Sequence, residues 1–397
     1  MTAPTEERLA RAYLLRVAEP PAPALVAFVA EVGPVAAARA VRSGECPGRV
    51  AGETAARREV DCAEQDLAAG HKVGARLITP EDDEWPAWPL LCLANAERRG
   101  ARNATTPLAL WARGETPLDE ATQSAVAIVG ARACSSYGET IAGELAYGLG
   151  NRGLSIFSGA AFGIDAAAHR GALAAQGVTV ALLGCGVDVG YPSGHISLLN
   201  HIVKQRGLVV SEYPPGTQPA RHRFLVRNRL IAALSEGTVV VEAGRRSGAR
   251  NTATTATILG KIVMAVPGPV NSVVSAGCHD LIRDAGATLV ASVDDVIETV
   301  GKLGSEIAEK ARSKRATDGL GVDALRVHET LERREGKGIE QIAAESGVPV
   351  SRVRAVLPAL ELDGLAECCD SGWRQRRLVR KLSTNVSEMV QGTEVMR

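Results

Sequence analysis

The chain has 397 residues, 46% hydrophobic and only 3% aromatic, with 41 glycines; that is ample for two or three cored domains and excludes a disordered chain. Its 45 Lys and Arg are balanced by 45 Asp and Glu, which excludes a uniformly basic nucleic-acid coat and leaves any polyanion site to local clustering. The eight cysteines show neither a CxxC pair nor zinc-ligand spacing, and there is no signal-like amino terminus or long apolar run, so a cytoplasmic, reduced protein with no membrane segment is expected.

In chain order, residues 1–72 read as a small helical domain. Ala, Leu and Val recur at helical spacing over 6–17, 23–30, 34–43 and 53–69, and the breaks carry Pro20-Pro21 and Gly33-Pro34. Such a domain can bind a partner or simply support its neighbour by packing. From Ala75 the pattern changes, and the short apolar segments at 76–78 and 108–114 are expected to extend the edge of a sheet. Trp85-Pro86 and Trp88-Pro89 bring rings that could stack on bases, but packing beside their apolar neighbours is the simpler role.

The organising stretch is 124–242. Ala125 to Val129 is a short apolar run closed by Gly130 and followed by an alanine-rich amphipathic segment, which reads as buried strand, tight turn and helix. Further strands are expected at 154–158, 178–183, 207–210, 238–242 and 262–266, each separated by a helical length. The pattern predicts an α/β fold with an extended Rossmann-like, mostly parallel sheet, whose ligands bind at the carboxyl ends of the strands. The core domain spans 73–301, with a further helix near 280–284 and a strand and helix over 288–300.

Polar residues gather in the loops that leave those strands. They include Gly130-Ala-Arg132 with Ser135, Ser158-Gly159 through Gly163 to Asp165, and Glu242 through Arg246 to Ser247-Gly248. Glycines let backbone amides approach a ligand, helix amino termini favour anions, and an Arg beside them points to phosphate.

The strongest cluster is Arg221-His-Arg-Phe224-Leu-Val-Arg227-Asn228-Arg229, with no acidic residue between Pro214 and Ser235. Four arginines around one Phe suit phosphate contact plus base stacking, although a solvated basic loop would look the same. Arg245, Arg246 and Arg250 are expected to add to the same surface. Gly184-Cys-Gly186 is not GxGxxG, and no GK[ST] loop occurs, so neither a dinucleotide cofactor nor ATP hydrolysis is supported. Asp165 and His169 stand four apart on an expected helix, where Asp165 serves most simply as an N-cap and a catalytic dyad is the sharper alternative. Glu242 is the one carboxylate placed for chemistry, with hydrogen bonding to the glycine loops as its simpler role.

Residues 302–320 are charged and read as a linker. Beyond it, 321–380 has helix-turn-helix spacing around Gly347-Val-Pro349, with Ser351 as an N-cap candidate and two wing strands at 365–367 and 373–379. A winged-helix domain of this kind serves either DNA or protein contact. Residues 381–397 read as a disordered tail.

Taken together these segments resemble the DNA-processing protein A (DprA, or Smf) family. The resemblance rests on Leu110-Trp-Ala-Arg-Gly114, Val126 to Arg132 with Ser135 and Tyr137-Gly138, Ser158-Gly159 through His169 to Leu173, and Gly184 to Asp188 with Tyr191-Pro192. It continues through Ser211 to Gly216, Phe224 with Arg227-Asn-Arg229, Val241-Glu242-Ala, Ser247-Gly248 and Ala265-Val-Pro-Gly268. The resemblance implies a non-enzymatic, dimeric single-stranded DNA-binding protein. It also implies a SAM or helix-hairpin-helix type of N-terminal domain, no cofactor, protection of incoming strands and help in loading RecA during natural transformation. Carried over by position, Arg132 grips a phosphate, Phe224 stacks on a base, and Arg221, Arg227, Asn228 and Arg229 line the pocket. Ser158, Gly159, Gly163, Ser247 and Gly248 shape it or offer donors.

The sequence departs from the family pattern at Ala131, at Leu225-Val226 after Phe224, and at Ala249-Arg250-Asn251, where Arg250 either joins the DNA path or displaces the loop. Two rivals remain: a nucleoside monophosphate phosphoribohydrolase-like enzyme, for which the Gly237-Thr238 to Glu242 stretch lacks the Pro-Gly-Gly loop, and a winged-helix regulator that reads duplex DNA.

Overall fold

The computed structural model describes residues 4–101, 103–301 and 320–376. They form two compact units, the first reaching to the end of the core and the second holding the C-terminal helices.

The first unit is built on a nine-stranded sheet. Its strands are β1 (Ala75–Ile78), β2 (Leu110–Arg113), β3 (Ala125–Val129), β4 (Ser155–Ser158), β5 (Thr179–Leu183), β6 (Leu208–Ser211), β7 (Gly237–Val240), β8 (Ile262–Ala265) and β9 (Thr288–Leu289). Their order is β1-β2-β6-β5-β4-β3-β7-β8-β9. From β3 to β9 the strands are parallel, while β2 pairs antiparallel with both β6 and β1. This is the expected extended Rossmann-like sheet with its added edge. Every residue of β3 to β7 is buried, which is why these segments are continuous Val, Ile, Leu and Ala runs rather than alternating ones. The strand order reverses between β3 and β7, so that crevice is the switch point of the fold.

Two faces of the sheet are covered differently. Odd-numbered β3 side chains such as Ala127 and Val129 join Phe157, Leu182 and the Arg221–Ala233 and Gly248–Ile258 helices in one core. Val126 and Ile128 on the opposite face meet the Ser136–Asn151 and Ile164–Ala174 helices. Further along this sheet the N-terminal helices, including Glu6–Val17, share one cluster with Leu77, Trp111, Leu183 and Val209. The fully buried Trp111 ring lies so close to Gly70 that a Cβ there would approach within 2.4 Å. The position 72/73, expected as a boundary, falls inside one unit, because the core among the front helices runs on without a break into the sheet. Of the two Trp-Pro pairs, Trp85 packs against the main core, whereas Trp88 is 84% exposed.

Among its described residues the second unit holds three helices, Val322–Thr330, Ile339–Ser346 and Val350–Leu362, followed by β10 (Ala366–Cys369) and β11 (Gly372–Gln375). Val327, Ile342, Val353, Leu357 and Leu360 form its core, and the antiparallel β10 and β11 make the wing. Gly347 turns the chain at φ +68°, a left-handed position suited to Gly. The third helix starts at Val350 with Pro349 at its cap, so Ser351 lies inside the helix instead of capping it. The linker expected at 302–320 lies outside the described residues except for Leu320, as do 377–380 of the expected winged-helix domain and the tail at 381–397.

Candidate nucleic-acid interface

Loops leaving β3, β4 and β5 converge with the first turns of the Arg221–Ala233 helix. They enclose a cleft of about 420 Å³ including its mouth, lined by Arg132, Gly159, Phe162, Gly184, Tyr191, Phe224 and Arg227 among others.

Glycines allow this convergence. Gly163 has φ +76°, and a Cβ on it would fall 2.3 Å from the Ala131 carbonyl oxygen, so no other residue joins the β4 loop to the β3 loop this way. Ile164 N–H then donates to that same carbonyl at 3.2 Å. The Asp165 carboxylate accepts from the Gly159 and Ala161 amides at 3.1 and 3.3 Å, closing the loop on itself. Burial pushes the Asp165 carboxyl upward, opposed by the Arg227 guanidinium and these amide bonds. Gly184 leaves room for Phe224, whose ring would stand 2.7 Å from a Cβ there.

The Phe224 ring is the centre of the cleft. Tyr191 stacks on it with centroids 5.3 Å apart and planes inclined by 20°, and the Arg132 guanidinium carbon lies 5.7 Å from its centroid. Arg132 is exposed. Phe162 stands at the rim, 50% exposed, supported by His195 at 4.5 Å. Two of the chain's four phenylalanines thus serve one cleft.

Arg227 forms the floor. It is 6% exposed, its Nη1 donates to the Gly159 carbonyl at 2.9 Å and to the Leu182 carbonyl, and its Nε has no hydrogen-bond partner. Burial lowers its pKa, with nearby Asp165 acting against that shift. A buried cation held by neutral carbonyls makes the floor electropositive and favours an anionic ligand.

Other residues expected in the site are placed elsewhere. Arg229 departs most clearly: it is 2% exposed, bonds both Glu212 oxygens at 2.8 and 2.7 Å, and donates from Nε to the Thr105 carbonyl. It braces the helix and does not line the cleft. Asn228 bonds Asn251 at 3.1 Å and so links its helix to the next. Ser158 is fully buried and donates to the Ile128 carbonyl at 2.7 Å, which leaves no donor for a ligand. Ser247 caps the Gly248–Ile258 helix, beginning at exposed Gly248. Arg250 turns to Asp280 at 3.2 Å, with Arg245 on the same carboxylate at 3.5 Å, so the departure at 249–251 is absorbed by an ion pair. Arg221 remains exposed at the helix start.

The dyad, the sharper alternative for Asp165 and His169, does not form, and Gly163 rather than Asp165 stands at the helix cap. His169 Nδ1 meets Thr179 Oγ1 at 2.7 Å while that hydroxyl donates to the Ile156 carbonyl. The hydroxyl therefore accepts from Nδ1–H, and Nε2 is the bare, unpartnered nitrogen. Burial holds His169 neutral, with its pKa down to about 3. Glu242 takes the simpler role, accepting from Ser135 N–H at 2.9 Å and Ser135 Oγ at 2.5 Å.

Sequence reasoning missed Tyr191 and Phe162 as site residues. The signal available was their rarity, since loop aromatics beside Gly and Pro stand out in a chain with 3% aromatics. It also missed that acids distant in sequence, Glu19 and Glu212, neutralise part of the basic cluster.

The fold agrees with comparisons to known proteins. The family model for DNA recombination-mediator protein A matches residues 76–301, and a DprA winged-helix model matches 311–372. A DNA processing protein DprA of Mycobacterium tuberculosis is 50% identical over 91% of this chain and 93% of its own. Protein Smf of Escherichia coli is 38% identical over 78% of this chain and 80% of its own. The X-ray structure of DprA from Streptococcus pneumoniae superposes with a TM-score of 0.60 at 31% identity, covering 75% of this chain and 98% of that one. With its cleft of Arg132, Phe224 and Arg227 at the ends of β3 to β5, the chain belongs to the DNA recombination-mediator protein A (DprA/Smf) family.

Proposed function

We propose that the cleft binds single-stranded DNA, with Phe224 and Tyr191 receiving a base and Arg132 a phosphate above the Arg227 floor. The observation that carries this reading is the stacked Tyr191–Phe224 pair with Arg132 beside it. Every unpaired base has a face to stack, and a duplex hides those faces. Gly159, Gly163 and Gly184 keep the cleft open, while Arg221, Ser247 and Gly248 flank the strand.

In this proposal the chain acts as a homodimer in the cytoplasm, protects incoming strands and helps load RecA recombinase during natural transformation and recombination. Membership of a DNA-processing family supports that role. The role is binding, not catalysis: Asp165, Glu212 and Glu242, buried carboxylates beyond the strand ends, already accept bonds from loop amides, Arg229 and Ser135. No helix among the described residues is long and apolar enough to cross a membrane.

Fluorescence anisotropy with labelled single-stranded and double-stranded oligonucleotides of equal length tests the reading. Tighter binding of the single strand, weakening with salt, is expected; equal or tighter duplex binding would send the function to the winged helix instead.

A further inference from the structure

Glu19 lies just beyond the Glu6–Val17 helix, far in sequence from the cleft, yet two guanidiniums and an imidazole converge on it. Arg223 donates from Nε at 2.6 Å and Nη2 at 3.1 Å, Arg57 at 2.8 Å, and His222 Nε2 stands 3.1 Å away. Two of these three come from the first turn of the helix that carries Phe224. The guanidinium of Arg223 also lies over the Tyr213 ring, 5.2 Å from its centroid, and acts electrostatically on Cys185, a residue of the cleft wall.

Resting on the single-strand reading above, we propose that Glu19 is a built-in phosphate mimic that determines how much of the cationic face reaches nucleic acid. A carboxylate bonded by a guanidinium fork and two further donors reproduces the contacts a strand phosphate would make. The cluster therefore sits at the rim as a phosphate position already filled by the protein. The N-terminal helices, through this one residue, limit the footprint of a strand to the cleft and Arg132.

Burial opposes ionisation of Glu19, but the bonds from Arg223, Arg57 and His222 outweigh it and hold the carboxyl down to about 2. It stays charged at every pH where DNA binding is measured. The side chain is 30% exposed, open enough for a phosphate to compete. Arg229–Glu212 shows the contrast: that pair is sealed in the interior, at 2% and 5% exposure, and serves the fold alone.

The test compares wild type, Glu19→Gln, Glu19→Ala and Glu19→Ala/Arg223→Ala for binding to a labelled oligothymidylate across a salt series. Glu19→Gln keeps the size of the side chain but removes its charge and one of the two acceptor oxygens, so it guards against loss of the N-terminal packing while breaking the guanidinium fork. The proposal expects binding a few-fold tighter in both single variants. It also expects a salt slope steeper by about 0.7 for each added phosphate contact, and loss of the part of that gain owed to Arg223 in the double variant, which leaves only Arg57 and His222 released. Unchanged or weaker binding by Glu19→Gln would overturn it. Wild type that failed to bind the oligonucleotide would instead overturn the single-strand reading, so the two failures are distinct.

Discussion

Glu242 accepts hydrogen bonds from both the amide and the hydroxyl of Ser135, at 2.9 and 2.5 Å, across the crevice between β7 and β3. That crevice is the switch point where doubly wound sheets commonly take their ligand. Here the protein's own carboxylate occupies it, and Gly138 has no Cβ because Glu242 Oε2 would lie 2.4 Å away. The cleft proposed for the ligand lies instead at the ends of β3, β4 and β5.

Glu242→Ala strands the Ser135 amide and frees the turn that carries Arg132. We predict a stability loss on the order of 1–3 kcal/mol, read by urea denaturation, with weaker binding of single-stranded DNA. An unchanged midpoint would mean the bond is decorative.

Arg229→Ala leaves Glu212 buried, 4% exposed, without its guanidinium. Breaking a buried pair on one side costs about 3–5 kcal/mol. The variant should unfold at markedly lower denaturant, whereas Arg221→Ala, an exposed change, should leave the midpoint near wild type.

Much of this was legible in the sequence. The continuous apolar runs identified every parallel strand from β3 to β8, because burial on both faces leaves no polar alternation to confuse the reading. The loops holding Arg132, Gly159 and Phe224 were legible for the same reason, since strand ends locate them. What stayed hidden depends on distance in sequence. Arg227 and Arg229 look alike in one helix, and only the burial of Arg229 against Glu212 separates a brace from a cleft floor. The shared core of the front helices was hidden too, because Gly70 and Trp111 lie 41 positions apart and meet only in the fold.

A Cβ at position 184 would press on the Phe224 ring at 2.7 Å and on its backbone nitrogen at 3.1 Å. Gly184→Ala should therefore weaken single-strand binding while its circular dichroism spectrum stays that of wild type. Full affinity in this variant would show that Phe224 has room to move without consequence.

His169 adds a pH dependence. Its pKa is about 3 in the folded chain against an ordinary 6.5, so the unfolded chain binds more protons between those values and stability falls as pH drops below 6.5 toward 3. From pH 7 to 5 the loss attributable to this residue is about 2 kcal/mol. The expected result is a smaller drop in melting temperature over that interval for His169→Gln than for wild type.

A base stacked at Phe224 and a phosphate held by Arg132 would contribute separately to affinity, and a salt series on Phe224→Ala and Arg132→Ala resolves the two. Phe224→Ala should lose on the order of 1–3 kcal/mol of single-strand affinity with its salt slope unchanged. Arg132→Ala should lose affinity and flatten the slope by about 0.7. Wild-type affinity and slope in both folded variants would show that neither side chain touches the strand.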